Sequence, residues 1–202
     1  MSKTRLEAFS DGVIAILMTI MVFDIKAPPG ADWASLLSVV PTVLTYLLSF
    51  LYLGIYWNNH HHLLQITRRI NGTVLWANLH LLFWLSLFPF TTSWLRSSQF
   101  SSLPTATYGV VLLLAAVAYL ILQTVITYAD GPDSKLRQAL GSNFKGKLSP
   151  VLYVLGIAVA SWNTWVSIGL YTLVALMWLI PDRRIEVTIQ QMGSTFHEES
   201  QP

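Results

Sequence analysis

The first hydrophobic segment begins Arg5-Leu6-Glu7-Ala8-Phe9-Ser10-Asp11-Gly12-Val13-Ile14-Ala15-Ile16. Charged residues occupy its first turns, and aliphatic residues follow without interruption. The purely apolar run from Gly12 to Phe23 is about 18 Å long at 1.5 Å per residue, which is too short to cross a bilayer alone. We therefore expect the charged start of this helix to lie against protein or water at membrane depth, and such intramembrane charges usually serve a function.

The composition indicates an integral membrane protein. Of 202 residues, 53% are hydrophobic and only 11% are charged, whereas soluble domains average about 25% charged residues. The mean hydropathy is +0.53. The chain has no cysteine, which excludes disulfides, thiolate metal sites and cysteine nucleophiles. A net charge of +2 is too small to indicate a nucleic-acid partner.

Six apolar segments can be delimited along the chain, and they predict an all-α bundle of six transmembrane helices. They cover Leu6 to Ile25, Ala34 to Leu64, Gly72 to Leu95, Ala106 to Tyr128, Leu148 to Ser161 and Trp165 to Ile180. The last two are shorter than the roughly 17–25 residues of a typical span. We predict one six-helix membrane domain over residues 1–181 and a polar tail over residues 182–202.

The basic residues predict the orientation of this bundle. If the loops alternate from an internal N-terminus, ten of the twelve basic residues lie on the inner side: Lys3, Arg5, Arg68, Arg69, Lys135, Arg137, Lys145, Lys147, Arg183 and Arg184. Lys26 and Arg96 lie on the outer side. This asymmetry is typical of positive-inside topology and predicts cytoplasmic N- and C-termini. A secretory leader is disfavoured because Glu7 and Asp11 are unusual in one.

The first helix carries two different faces. At about 100° per residue, Ile16, Ile20 and Phe23 lie within about 60° of one another, and Thr19 lies beside them. Asp11 points roughly 140° away from Ile16 and is directed at neighbouring helices. Ordinary helix packing is one interpretation of the aliphatic stripe. The carboxylate needs a partner because buried charges in a bilayer are costly.

The pattern Arg5-x-x-x-Phe9-Ser10-Asp11 resembles the RxxxFSD signature of the transmembrane protein 175 family, the endosomal and lysosomal potassium channels and their bacterial homologues. Three further stretches resemble family motifs at the expected places: Thr19-Ile20-Met21-Val22, Trp57 with His60 and His61, and Leu87-Phe88-Pro89-Phe90-Thr91. These similarities cover the first three helices, about half of the chain. The last three helices match in hydropathy only.

The resemblance implies a fold and an assembly. Family members have six spans per repeat, and a single repeat is similar to the bacterial form, a homotetramer in the bacterial inner (plasma) membrane with the first helix of each subunit lining a central pore. In this chain the hydrophobic constriction then falls at Ile16, with Ile20 and Phe23 further along the pore. Many members have Leu where this chain has Phe23. Thr19 matches a threonine implicated in potassium preference.

These expectations amount to a potassium-preferring channel that conducts passively, with no enzymatic activity, no cofactor and no resident metal. The chain lacks a TVGYG-type sequence, which disfavours a filter of backbone carbonyls. Hydrophobic constrictions can instead gate by dewetting, so a ring of four Ile16 side chains suits a gate. A ring of Thr19 hydroxyls would replace part of the hydration of a permeating K+ or another monovalent cation.

The three consecutive histidines do not form a metal site in this interpretation. On a helix His60, His61 and His62 point about 100° apart, whereas metal-binding pairs prefer a spacing of four residues. The resemblance implies an anchoring network for the first helix, formed by Arg5, Phe9, Ser10, Asp11, Trp57, His60 and His61. We expect Asp11 to pair with His60 or His61. His80, inside the third span, suits a hydrogen bond between helices.

Three other functions remain as alternatives. A proton-coupled or ion-coupled carrier could use Asp11 with His60 or His61 as a relay, although the chain shows no internal repeat of the kind carriers often contain. A membrane enzyme is disfavoured because no serine elbow, zinc motif or pair of suitably spaced carboxylates occurs. An assembly subunit without transport activity is the third alternative, and a flux assay would distinguish it.

Overall fold

The computed structural model describes residues 2–131 and 144–179. The regular structure of this part is helical. The helices are α1 (Lys3–Ile20), α2 (Trp33–Ser38), α3 (Val40–Ile66), α4 (Gly72–Ser86), α5 (Phe88–Ser97), α6 (Ser102–Asp130), α7 (Phe144–Val159) and α8 (Thr164–Leu179). The tail predicted over residues 182–202 lies outside the described residues, as do residues 132–143 between the fourth and fifth predicted segments.

Four helical stretches are long and apolar enough to cross a membrane: Lys3–Asp24, Val40–Ile66, Gly72–Ser97 and Ser102–Asp130. The first of these includes a short 3-10 helix, Met21–Asp24, that continues α1. Helix α8 is apolar but shorter, and α7 has the same length of 16 residues. The predicted all-α class is therefore confirmed, while the count of six spans stays a prediction.

Prolines interrupt two of the predicted segments. The third segment divides into α4 and α5 at Leu87, and Pro89 lies in the first turn of α5. The second segment divides into α2 and α3 at Val39, and Pro41 lies in the first turn of α3. Proline lacks a backbone N–H and is tolerated in a first turn, so each break falls just before a proline.

The helices alternate in direction, and polar contacts hold each end of the bundle. At one end Lys3 Nζ donates to the Gln65 carbonyl at the end of α3, over 2.7 Å. The Asp130 carboxylate at the end of α6 accepts the backbone N–H groups of Arg68 and Arg69 over 3.1 and 3.0 Å. The beginning of α1 and the ends of α3 and α6 therefore share one end of the molecule.

The opposite end holds the turns between α5 and α6 and between α7 and α8. The Phe100 and Trp165 rings pack there with centroids 5.1 Å apart. The chain turns between Val159 and Thr164, and Asn163 caps the following helix by accepting the backbone N–H of Trp165 over 3.0 Å. The tryptophans are exposed at this end, as expected for a belt at the membrane interface.

Helix α6 lies at the centre of the bundle and contacts α4, α5, α7 and α8, whereas α1 packs against α3 and α4. Close approach at the centre depends on two glycines that face one aromatic ring. A Cβ on Gly109 of α6 or on Gly156 of α7 would overlap the side chain of Tyr171. Tyr171 is fully buried and donates to the Thr105 carbonyl, so it has little room to move.

Gly109→Ala and Gly156→Ala should each destabilise the protein by about 1–3 kcal/mol, because the added methyl group overpacks the core. Thermal unfolding in detergent measures the effect. Gly169→Ala is the matched control: no heavy atom lies within 4 Å of its added Cβ, and alanine is the better helix former. A melting temperature of Gly109→Ala equal to that of Gly169→Ala would contradict the packing assigned to Tyr171.

Candidate pore-lining face and its anchoring network

Helix α1 presents one buried face and one exposed face. The buried face packs into the bundle and consists of Leu6, Ser10, Ile14 and Leu17. On the other side the subunit exposes large apolar side chains in a continuous stripe: Phe9 is 48% exposed, Ile16 57%, Ile20 46% and Phe23 82%. The candidate pore residues therefore share one face, which the described part of the subunit leaves exposed.

Thr19 lies on this exposed face between Ile16 and Ile20. Its hydroxyl donates back to the Ala15 and Ile16 carbonyls, over 3.1 and 3.0 Å. The hydroxyl proton is thus engaged by the helix, and the oxygen lone pairs remain available on the exposed side. An oxygen held in this way can accept from water or coordinate a cation.

Phe23 marks the end of the stripe. It lies in the 3-10 turn after α1, and with Ile20 and Asp24 it borders an open groove whose other wall is formed by Pro89 and Phe90 of α5. The volume of this groove is about 580 Å³. Phe23 therefore borders the same groove as Ile20, and most of its ring is exposed.

The buried face of α1 is held by a hydrogen-bonded chain across three helices. The Ser10 hydroxyl donates to the Leu6 carbonyl over 2.9 Å and accepts from Asn78 Nδ2 over 3.0 Å. Asn78 Oδ1 pairs with His60 Nε2 over 2.7 Å. Ser10 and Asn78 are fully buried, and His60 is 1% exposed. These three side chains therefore join α1, α4 and α3 inside the bundle.

Asn78 was absent from the predicted anchoring network. An asparagine within an apolar segment indicates a hydrogen bond between helices, because amide side chains in membrane helices commonly bond to a neighbouring helix. However, Asn78 is 68 residues from Ser10 and 18 residues from His60 along the chain, so the sequence does not indicate that the three side chains meet. Only the packing of three helices brings the amide between the hydroxyl and the imidazole.

Asp11 makes a different contact from the expected one. Its carboxylate accepts from Trp57 Nε1 over 3.0 Å, and the predicted pairing with His60 or His61 is replaced by this bond. The reason is geometric: Asp11 lies about 100° from Ser10 on the helix and faces the edge of α3, whereas His60 faces the core. His61 stacks on Trp57, with ring centroids 6.1 Å apart, and pairs with Gln65.

Arg5 and Phe9 are exposed and lie outside both contacts in the described part of the chain. Phe9 shares the exposed stripe with Ile16. In the same described ranges, 2–131 and 144–179, no group of three histidine or acidic side chains is close enough to hold a metal ion. The anchoring geometry of the single subunit therefore rests on Ser10, Asp11, Trp57, His60 and Asn78.

Asn78→Ala should lower the unfolding free energy by about 1–3 kcal/mol, because it leaves the buried Ser10 and His60 groups without partners. Asp11→Ala should likewise impair stability or assembly before it alters ion selectivity. Asp11→Asn is its control, since an amide oxygen still accepts from Trp57 Nε1. The melting temperatures of the three variants in detergent test these expectations. An Asn78→Ala protein with the wild-type melting temperature would show that the hydrogen-bonded chain does not stabilise the subunit.

The chain is similar in sequence to known potassium channels. The family model of the endosomal/lysosomal potassium channel TMEM175 matches residues 5–89. A potassium channel from Chryseobacterium sp. (strain P1-3) is 54% identical over 191 residues, which cover 95% of this chain and all of that protein. A potassium channel from Streptomyces collinus is 30% identical over 183 residues, covering 85% of this chain and 89% of that protein.

The fold has a solved relative. The crystal structure of a lysosomal potassium-selective channel TMEM175 homologue from Chamaesiphon minutus matches with a TM-score of 0.76 at 25% sequence identity, over 89% of this chain and 97% of that one. These relatives are channels and not enzymes, and the described helices are those of a membrane protein. The chain belongs to the TMEM175 family, as one of its bacterial members.

Proposed function

We propose that this protein is a potassium-preferring cation channel of the bacterial inner membrane, in which four copies place the exposed face of α1 around a central pore. The observation that carries the proposal is the exposed stripe of Ile16, Thr19, Ile20 and Phe23, on a helix whose opposite face is pinned to its own bundle. Two relatives that match over most of their own length are potassium channels, and we therefore propose potassium as the conducted ion.

The proposed subunit has six spans with both termini in the cytoplasm. The antiparallel order of the helices supports this topology, since Lys3, Arg68 and Arg69 gather at one end of the bundle. Positive charge favours the cytoplasmic side. Helices α7 and α8, with 16 residues each, are about 24 Å long, so they would need to sit in a thinned bilayer or continue beyond the described residues.

Ile16 is the proposed hydrophobic gate. It is 57% exposed in the subunit and lies one turn from Thr19, in the apolar half of α1. Four such side chains around an axis form a ring without any polar group, from which water and ions are expelled when the ring is narrow. Phe9, about two turns before it, is exposed on the same side and continues the proposed pore wall toward the cytoplasm.

Thr19 is the proposed cation-contacting residue. Its hydroxyl proton is already donated to the carbonyls of its own helix, so the oxygen meets the pore as an acceptor. A ring of four such oxygens offers fewer ligands than a carbonyl filter, so a modest preference for potassium over sodium follows. No cofactor takes part, and the potassium ion is the transported substrate.

The carrier alternative loses its main support. It depended on a proton relay between Asp11 and a histidine, but Asp11 is bonded to Trp57 and His60 is bonded to Asn78. A passive pore needs neither group to release a proton. The anchoring residues are then supports of α1, and the conduction path lies on the opposite face of that helix.

Ile16→Asn should increase potassium flux into proteoliposomes several-fold, because a polar side chain lets water fill the constriction. Ile16→Leu is the matched control, since it keeps the volume and the apolar character and should leave flux within about twofold of wild type. Unchanged flux and selectivity in Ile16→Asn would remove Ile16 from the gate.

Thr19→Val should reduce the preference for potassium over sodium, measured as a shift of the reversal potential in bi-ionic solutions. Valine has the same shape but no oxygen, so the ring loses all of its ligands at once. Thr19→Ser retains the hydroxyl and should keep most of the preference. A Thr19→Val channel with wild-type selectivity would place the selective contact elsewhere.

A further inference from the structure

His80 is a polar side chain on the outward face of α4. It is exposed, and its neighbours on that face are the apolar Trp76 and Phe83, which are 75% and 54% exposed. His80 Nε2 accepts from Trp84 Nε1 over 2.9 Å. Since an indole N–H can only donate, Nε2 carries no proton in the neutral ring, and the proton is on Nδ1. The sequence predicts a hydrogen bond from His80 to another helix, but the bond between His80 and Trp84 lies within α4.

His80 is exposed, and no described residue accepts a hydrogen bond from its Nδ1–H. The missing acceptor matters because His80 lies deep in the span. His80 is eight residues after Gly72, where the span begins, or about 12 Å along the helix. Lipid tails offer no acceptor at that depth, so a polar side chain there usually faces another protein surface.

Asn58 on α3 is the complementary group. It is half-buried, and its side-chain amide likewise has no partner among the residues that the structure describes. The bonded pair His60 and Asn78 shows that these two positions have the same height in the bundle. Asn58 lies two residues before His60 on α3, and His80 lies two residues after Asn78 on the antiparallel α4. Both are thus displaced by about 3 Å in the same direction.

The same step of two residues also sets the directions of the side chains. Two residues turn a helix by about 200°, so Asn58 points away from buried His60, and His80 points away from buried Asn78. The bundle thus carries an inward pair and an outward pair of polar groups in one layer. The outward pair cannot meet within one subunit, because the two groups face opposite flanks.

Helix α1 lies between these flanks, since it packs against α3 on one side and α4 on the other. A ring that turns the exposed face of α1 to its axis brings the α3 flank of one subunit against the α4 flank of the next. Rotation about an axis along the membrane normal preserves height, so Asn58 of one subunit meets the layer of His80 in its neighbour.

We propose that the interface between neighbouring subunits contains a hydrogen bond from His80 Nδ1–H to Asn58 Oδ1 of the partner subunit, repeated around the ring. The partner is a second copy of this chain, and the inference rests on the proposed channel assembly. In a mainly apolar contact, one donor that matches one acceptor at a single height sets the register of neighbouring subunits.

The natural absence of cysteine makes a direct test possible. Asn58→Cys and His80→Cys are combined in one chain, and the assembled protein is treated with a short bifunctional thiol reagent. We expect covalent dimers, trimers and tetramers on a denaturing gel. The control combines Asn58→Cys with Ile121→Cys. Ile121 is an exposed apolar residue of α6. It lies near the height of Asn58, because Tyr119, two residues before it, donates to the carbonyl of Asn59. The control should give no ladder.

A second measurement covers the case in which the cysteine variant fails to assemble. His80→Leu and Asn58→Leu should each weaken the oligomer by roughly 3- to 20-fold in its dissociation constant, the range of single hydrogen bonds between membrane helices. The double variant should be no weaker than the worse single variant, because both substitutions remove the same bond. Fully additive losses would overturn the inference.

The outcomes separate this inference from the proposed function. An oligomer of wild-type size with normal potassium flux, but without a ladder from the Asn58 and His80 cysteines, would overturn the interface while leaving the channel intact. A wild-type protein that remains monomeric in detergent and conducts nothing in liposomes would overturn the proposed function itself. A ladder specific to the Asn58 and His80 pair supports both.

Discussion

The structure depends on how a polar helix start is accommodated at membrane depth. Ser10 and Asp11 cannot face lipid, and each finds a partner on a different neighbour: Ser10 reaches Asn78, and Asp11 reaches Trp57. Two adjacent residues with partners in two directions fix the rotation of α1 about its own axis. Once that rotation is set, the face that carries Ile16 and Thr19 is set as well.

This arrangement separates the contacts that anchor α1 from the face that we propose lines the pore. The polar chain through Ser10, Asn78 and His60 is buried and fully inside one subunit, so it stabilises the bundle whether or not other copies are present. The opposite face of α1, which we propose lines the pore, carries apolar residues and one hydroxyl, and such groups interact only weakly with an ion. Weak contacts suit a pore, because an ion that binds tightly does not leave. The charge that draws attention in the sequence is thus better explained as an anchor.

Behind α1 the bundle is closely packed, which keeps the anchoring residues in place. Helix α6 lies among four other helices, and the Tyr171 ring fills the space left by Gly109 and Gly156. Pro41 and Pro89 lie in the first turns of α3 and α5, where the missing N–H of proline costs no hydrogen bond within the helix. The outward-facing His80 Nδ1–H and Asn58 amide are the exception, since the described part of the subunit offers these two groups no partner.

The sequence by itself determined the helical class, the positions of the apolar segments, the proline breaks and the face on which Ile16, Thr19, Ile20 and Phe23 lie. These features are local: hydropathy, helical periodicity and the missing N–H of proline act over a few residues. Only the tertiary structure decided the polar partners. From the sequence, Asp11 is predicted to pair with a histidine and Asn78 is missed, because the sequence does not show which side of α3 and of α4 faces α1. That choice depends on how three helices pack together, and a rotation of one residue, about 100°, exchanges a buried partner for an exposed one.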